Sequence, residues 1–250
     1  YAVATYAIAL IGVNLMFSNY AMEWYFWLFG IVWVAGFFFL SVKFSQEWSV
    51  LRIHKSKNFE KHLFWTGFWI RAVYVIFIYY FYLEMTGMPY AFQVADSQSY
   101  IEVAGDWASW FERDKFWTEI LEYVNISGIS DLGYPLSLML PVYWFGEEAA
   151  LIITRLIQAA IGAYTSVIIY RVARRSMGES PARMTAIFCM LHPALICYVC
   201  MSLKEVLMTF MLVLFIDMGE RMLRSRRYSF ATIAPLALTG FSLFMFRTVL

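Results

Sequence analysis

Apolar residues fall along the chain in blocks of roughly 17–25, the length an α-helix needs to cross about 30 Å of hydrocarbon, and short charged stretches separate the blocks. Continuous hydrophobicity predicts helices near 3–19, 23–42, 62–83, 148–170, 183–201, 205–222 and 229–248, about seven membrane spans. The run Tyr134–Gly146 (YPLSLMLPVYWFG) is also apolar, but it is short and holds Pro135 and Pro141. It suits a re-entrant or interfacial helix rather than a span. The predicted fold class is all-α: a polytopic membrane protein with a long external loop that carries amphipathic juxtamembrane helices.

The basic residues test this assignment, because Lys and Arg accumulate in cytoplasmic loops. Most of the nineteen sit in three connections: 43–61 (Lys43, Arg52, Lys55, Lys57, Lys61), 171–183 (Arg171, Arg174, Arg175, Arg183) and 221–227 (Arg221, Arg224, Arg226, Arg227). If Tyr134–Gly146 does not cross, all three fall on one side of the membrane. The opposite side receives the segment 84–147, which is rich in Asp and Glu and holds only Arg113 and Lys115 as cations. A loop of roughly sixty residues, against the usual four to six, is commonly functional.

That loop is patterned. Tyr100, Val103, Trp107, Trp110 and Phe111 recur at spacings of three and four while Glu102, Asp106 and Glu112 face elsewhere, as on an amphipathic helix lying in the membrane interface. Phe116, Trp117, Ile120, Leu121 and Val124 predict a second such helix. Asp96 opens the module in the run Ala95-Asp96-Ser97-Gln98-Ser99-Tyr100. It reads either as an N-cap or as a carboxylate held at the membrane surface, where partial desolvation would fit it for general-base work.

Composition closes off the soluble alternatives. The chain is 62% hydrophobic and 15% charged, against about 45–50% and about 25% in typical soluble domains. A net charge of +1 gives no reason to expect a nucleic-acid partner. The sequence opens on Tyr1 and closes at Leu250 inside an apolar run, so it is treated as part of a longer protein. Cys189, Cys197 and Cys200 lie in or beside one apolar block and read as packing residues rather than metal or redox ligands. Asn125-Ile126-Ser127 fits the N-glycosylation pattern.

The order of these features resembles the GT-C superfamily of membrane glycosyltransferases, which includes protein O-mannosyltransferases and aminoarabinose transferases. The residues that carry the resemblance are Asp96 and Tyr100, then Gly133-Tyr134-Pro135-Leu136 and Phe145-Gly146, then Arg155-Leu156, Tyr170-Arg171, Ala173-Arg174-Arg175, Gly178 and Pro193. It covers about 62–223 and divides the chain into an N-terminal two-span extension with a basic loop (1–61) and a transmembrane catalytic module (62–250). Several family members have a second acid directly after the loop Asp. Ser97 stands there in this chain, so no metal cofactor is expected.

The resemblance implies transfer of a sugar from a polyprenyl-phosphate donor to a lipid-, glycan- or protein-linked acceptor, with inversion, at the external face of a bacterial inner membrane. Asp96 would act as general base, and Arg155, Lys204 and Arg247 would hold the donor phosphate. Tyr100, Tyr134 and Glu205 would contact substrate. A charge inside a span costs roughly 2.5–3.5 kcal/mol on insertion scales and usually marks a function. Structural alternatives exist for each cation: Arg155 could pair with Asp131 or Glu148, and Lys204 could snorkel or pair with Glu205. Arg71, mid-span, reads as one member of a buried structural pair, and His192 as a packed helix residue. Two rival activities predict other patterns. A transporter or lipid flippase would show paired repeats with interrupted spans; the sequence has no internal repeat. A polymerase of polyprenyl-linked polysaccharide would carry loop arginines for a diphosphate.

Overall fold

The computed structural model describes residues 2–16, 56–90, 95–127, 132–226 and 228–246, together with scattered helical positions between 28 and 39. Every regular element among these residues is a helix. The chain divides into two compact units, Tyr1–Phe59 and Glu60–Leu250. The first holds α1 (Ala2–Met16), apolar on all sides. The predicted span 23–42 lies largely outside the described residues.

The remaining helices are α2 (Ser56–Thr86), α3 (Ala95–Glu112), α4 (Phe116–Ser127), α5 (Gly133–Met177), α6 (Glu179–Leu191), α7 (Pro193–Cys200), α8 (Glu205–Ser225) and α9 (Phe230–Phe246). Their ends follow from local chemistry. Gly87 ends α2 in the left-handed region and returns its N–H to Leu83 O. Between α3 and α4, Asp114 takes up a left-handed conformation, its N–H reaching Phe111 O while that of Lys115 reaches Trp110 O. These are the two bonds of a Schellman stop.

α5 is the hub, packed against α3, α6, α7 and α8, and α9 lies on α8. It is not one straight rod. Gly146 has φ 75° and ψ 166°, far from helical values, a conformation that costs a Cβ-bearing residue and suits glycine. The Gln158 side chain donates to the Tyr134 hydroxyl at 2.7 Å, although these residues would be about 36 Å apart along a continuous helix. Lying equally far from Gly146, they show that the arms 133–145 and 147–177 fold back on one another. The short arm, about 20 Å long, is the Tyr134–Gly146 stretch set apart in the sequence.

Two expectations need correction. First, among the described residues two helices, Asn58–Thr86 and Gly133–Met177, are long and apolar enough to cross a membrane, or three if α6 and α7 form one bent span; the sequence predicted about seven. The stretch 183–201 breaks at His192, whose extended backbone precedes Pro193 at the start of α7, bending the pair by 41°. The helix covering 205–222 carries Asp217, Glu220 and Arg221, and the 17 residues of α9 reach only about 26 Å. Second, the apolar face of α3 is turned toward protein. Ile101, Ala104, Trp107 and Ala108 are buried in a core with Leu138, Met139 and Val142 of the short arm and Ala150 and Leu151 beyond the break. The exposed aromatics of α3, α4 and the short arm include Phe111, Trp117, Tyr143, Trp144 and Phe145.

The other end of the second unit is tied by ions. Glu60 on α2 accepts from Arg171 on α5 at 2.7 Å. Arg175 pairs with both Asp217 and Glu220 of α8, which Arg221 and Arg224 join at 2.8 Å. Tyr170 donates to Glu179, which also pairs with Arg183. The start of α2, the end of α5 and the end of α8 therefore share one end of the bundle, the grouping that the basic connections predicted.

Candidate functional site

Arg155 lies roughly two and a half turns beyond Gly146 and is fully buried. Its Nε donates to Ser202 Oγ at 2.7 Å and its Nη2 to the Pro89 carbonyl at 3.0 Å. Both acceptors are neutral, and Nη1 has no protein partner. The structural pair with Glu148 is not formed, since that residue is exposed; Asp131 lies outside the described residues. The buried guanidinium is thus held by neutral oxygens, with one nitrogen left without a protein partner.

The turn between α7 and α8 is built around that contact. Ser202 is buried with φ 51°, a conformation costing an L-residue about 1–2 kcal/mol. Two residues on, Lys204 is half-buried with its Nζ 5.9 Å from the centre of the Tyr100 ring. Tyr100 stands edge-on to Tyr134 with ring centres 5.0 Å apart. Gln158, three residues from Arg155 and so on the same helix face, binds the Tyr134 hydroxyl with one end of its amide and has no protein partner for the other. Glu205 is close enough for its charge to reach the Tyr134 phenol, and its Oε2 is buried without a partner. Beside Arg155, burial pushes the Tyr90 phenol above its ordinary pKa; the Arg155 charge opposes this, and Glu147 and Glu102 reinforce it.

Arg155, Lys204, Tyr100, Tyr134 and Glu205, all expected from the sequence, thus gather around one another at the end of the bundle opposite the ionic network. Ser202, Gln158 and the Pro89 carbonyl were not foreseen. Gln158 had a detectable signal, a polar residue one turn from Arg155 inside an apolar span. Asp96 falls in the first turn of α3 rather than at the position before it, so the N-cap reading is withdrawn; there its charge favours the helix dipole. It is exposed, and the protein itself does not desolvate it. It stands one turn before Tyr100. Arg247 lies outside the described residues.

Other candidates take structural places. Cys200 donates to Ile196 O, Cys197 contacts the Tyr74 hydroxyl at 3.7 Å, and all three cysteines are free. His192 sits at the α6–α7 break rather than within a helix, edge-on to Phe188 at 5.6 Å. Asn125 is exposed near the end of α4. Among the described residues no three His, Cys, Asp or Glu side chains converge as metal ligands would. No family model, curated protein or solved structure matches the chain.

Proposed function

We propose that this chain is a multi-pass membrane glycosyltransferase that moves a sugar from a polyprenyl-phosphate carrier to a hydroxyl acceptor at the external face of a bacterial inner membrane. The observation that carries this reading is Arg155, buried and without an acidic partner, beside Lys204 and two tyrosines packed edge to face. The ionic end of the bundle, with its basic connections, is then cytoplasmic, and the Arg155 end is external.

In this reaction Asp96 takes the proton of the acceptor hydroxyl as its oxygen attacks the anomeric carbon from the face opposite the phosphate. The bond from that carbon to the phosphate oxygen breaks, and the negative charge left on the phosphate is met by Arg155 and Lys204. Fixed cations aimed at developing charge in a site shielded from water are worth several kcal/mol. Tyr100, Tyr134, Gln158 and Glu205 supply the hydroxyl, amide and carboxylate groups that orient a sugar.

The reading is tested with purified protein in lipid nanodiscs, following release of polyprenyl phosphate from a polyprenyl-phosphate sugar. Arg155→Gln should weaken donor binding and lower turnover, each by roughly 10–100-fold, since a hydrogen bond to a charged group is worth about 1.5–3 kcal/mol. An unchanged KM for the donor in a folded variant would remove the basis of the assignment. Membrane crossing by 147–177 is tested by cysteines placed at the exposed positions Glu148 and Arg174 in a chain whose native cysteines are replaced. An impermeant thiol reagent should reach Glu148→Cys from the external face only and Arg174→Cys from the cytoplasmic face only. Labelling of both from the same face is incompatible with a crossing helix.

A further inference from the structure

Arg71 is sealed inside the bundle, where it donates to the Gly67 carbonyl at 3.0 Å; against the sequence expectation, no carboxylate among the described residues bonds to it. The arginines of the ionic end are open to the outside, and their charge exceeds that of the acids beside them. Arg175, Arg221 and Arg224 share two carboxylates, Asp217 and Glu220, while Glu179 is taken up by Tyr170 and Arg183. Arg174, exposed near the end of α5, lies over the Tyr170 ring at 5.5 Å. Arg226, exposed at the C-cap of α8, makes no ion pair among the described residues.

Two of these guanidiniums are held in place with donors to spare. Arg221 meets Asp217 through Nη2 at 2.8 Å, and Nη2 of Arg224 meets Glu220 at 2.8 Å and the Arg175 carbonyl at 3.0 Å. Both side chains are still more than half exposed, 55% and 53%. Their other N–H groups sit on forks already fixed, so a ligand that binds them costs little further rotamer freedom. Large apolar side chains stand exposed among the arginines: Met177 at the end of α5, Leu223 between Arg221 and Arg224, and Tyr228 and Phe230 at the entry to α9. Cations interleaved with exposed apolar and aromatic groups suit a membrane–water interface, where apolar tips enter the acyl boundary and arginines reach the phosphates.

We propose that this end of the bundle binds the headgroups of anionic phospholipids, the phosphate resting on Arg221 and Arg224 and the net negative charge met by Arg174 and Arg226. A guanidinium fork matches two phosphate oxygens at once. A zwitterionic headgroup offers the same phosphate but brings its own cation, which Arg174 and Arg226 repel. The exposed cations of the α3–α4 turn, Arg113 and Lys115, have no such excess, because Glu112 and Asp114 stand exposed beside them. The proposal rests on the chain lying in a bilayer and not on sugar transfer.

Native mass spectrometry of the protein in neutral detergent, titrated with dioleoyl phosphatidylglycerol or dioleoyl phosphatidylcholine, gives an apparent affinity for each lipid. The native chain should prefer phosphatidylglycerol by at least about tenfold. Arg226→Asn, which suits the left-handed backbone there (φ 51°), should weaken phosphatidylglycerol about fivefold, the worth of one cation at an anionic headgroup, and leave phosphatidylcholine unchanged. Arg174→Gln gives the same reading if Arg226→Asn does not fold. Lys115→Gln removes an equal charge elsewhere and should change neither affinity. Glycerol 3-phosphate, which has the phosphate without acyl chains, should not displace the lipid. Equal affinities for the two lipids, a preference kept intact in the arginine variants, or an equal loss in Lys115→Gln overturns the proposal. Displacement by glycerol 3-phosphate also overturns it, making the site one for soluble phosphates.

Discussion

Replacing Asp96 with asparagine should lower sugar transfer by roughly 10²–10⁴, the usual contribution of a general base, while the yield of folded protein stays near normal. The side chain is exposed in the first turn of α3, so the substitution opens no cavity and leaves no buried group unpaired. Asparagine matches aspartate in size but cannot take up the acceptor's proton. Loss of the favourable charge at the helix start costs only about 0.3–1 kcal/mol, too little to explain a collapse in activity through unfolding. Donor binding should be nearly unaffected, because the phosphate contacts belong to Arg155 and Lys204. Full activity in Asp96→Asn would leave the residue a helix-dipole role and the transferase reading without a base.

The largest stability effect is expected at the opposite end of the molecule. Asp217 is buried and pairs with Arg175 and Arg221. Removing one partner of a buried pair typically costs about 3–5 kcal/mol, because the other charge stays buried without compensation. Arg175 retains Glu220 and Arg221 is mostly exposed, which places Asp217→Ala at the low end, about 3 kcal/mol. Reversible unfolding in mixed detergent micelles measures this. Glu220→Ala should cost less, since Asp217 would remain to hold Arg175. Equal losses in the two variants would mean that the network acts as a unit rather than through its buried member.

The sequence made visible what depends on periodicity and length. The helices at 56–86 and 147–177 and the pair at 95–112 and 116–127 follow from apolar runs or three-and-four spacing, while the short arm, set apart in the sequence by its length and by Pro135 and Pro141, is divided from 147–177 at Gly146. Contacts between distant residues leave no such trace. Arg155 meets Ser202 and Pro89, which are 47 and 66 positions away, and the left-handed turn that aims Ser202 has no glycine to announce it. The span count failed for a related reason: total hydrophobicity along 205–222 is high enough for a helix in lipid, but Asp217 is there to join a network at the end of α5. The face of α3 was misassigned because an amphipathic stripe identifies a buried side without saying whether protein or lipid buries it.

Gly146 also fixes a phase relation. The two arms of α5 form a hairpin whose contacts depend on distance from that glycine, and a helix turns about 100° with every residue. One residue gained or lost between Gly146 and Arg155 would rotate Arg155 and Gln158 together away from Tyr134 and Ser202, whereas seven residues, close to two full turns, would restore the direction but slide the charge about 10 Å along the axis. The same length change in the turn between α8 and α9, at the ionic end, would disturb neither. The geometry of this site therefore tolerates insertions very unevenly along the chain, and the stretch from Tyr134 to Gln158 is where its spacing is set.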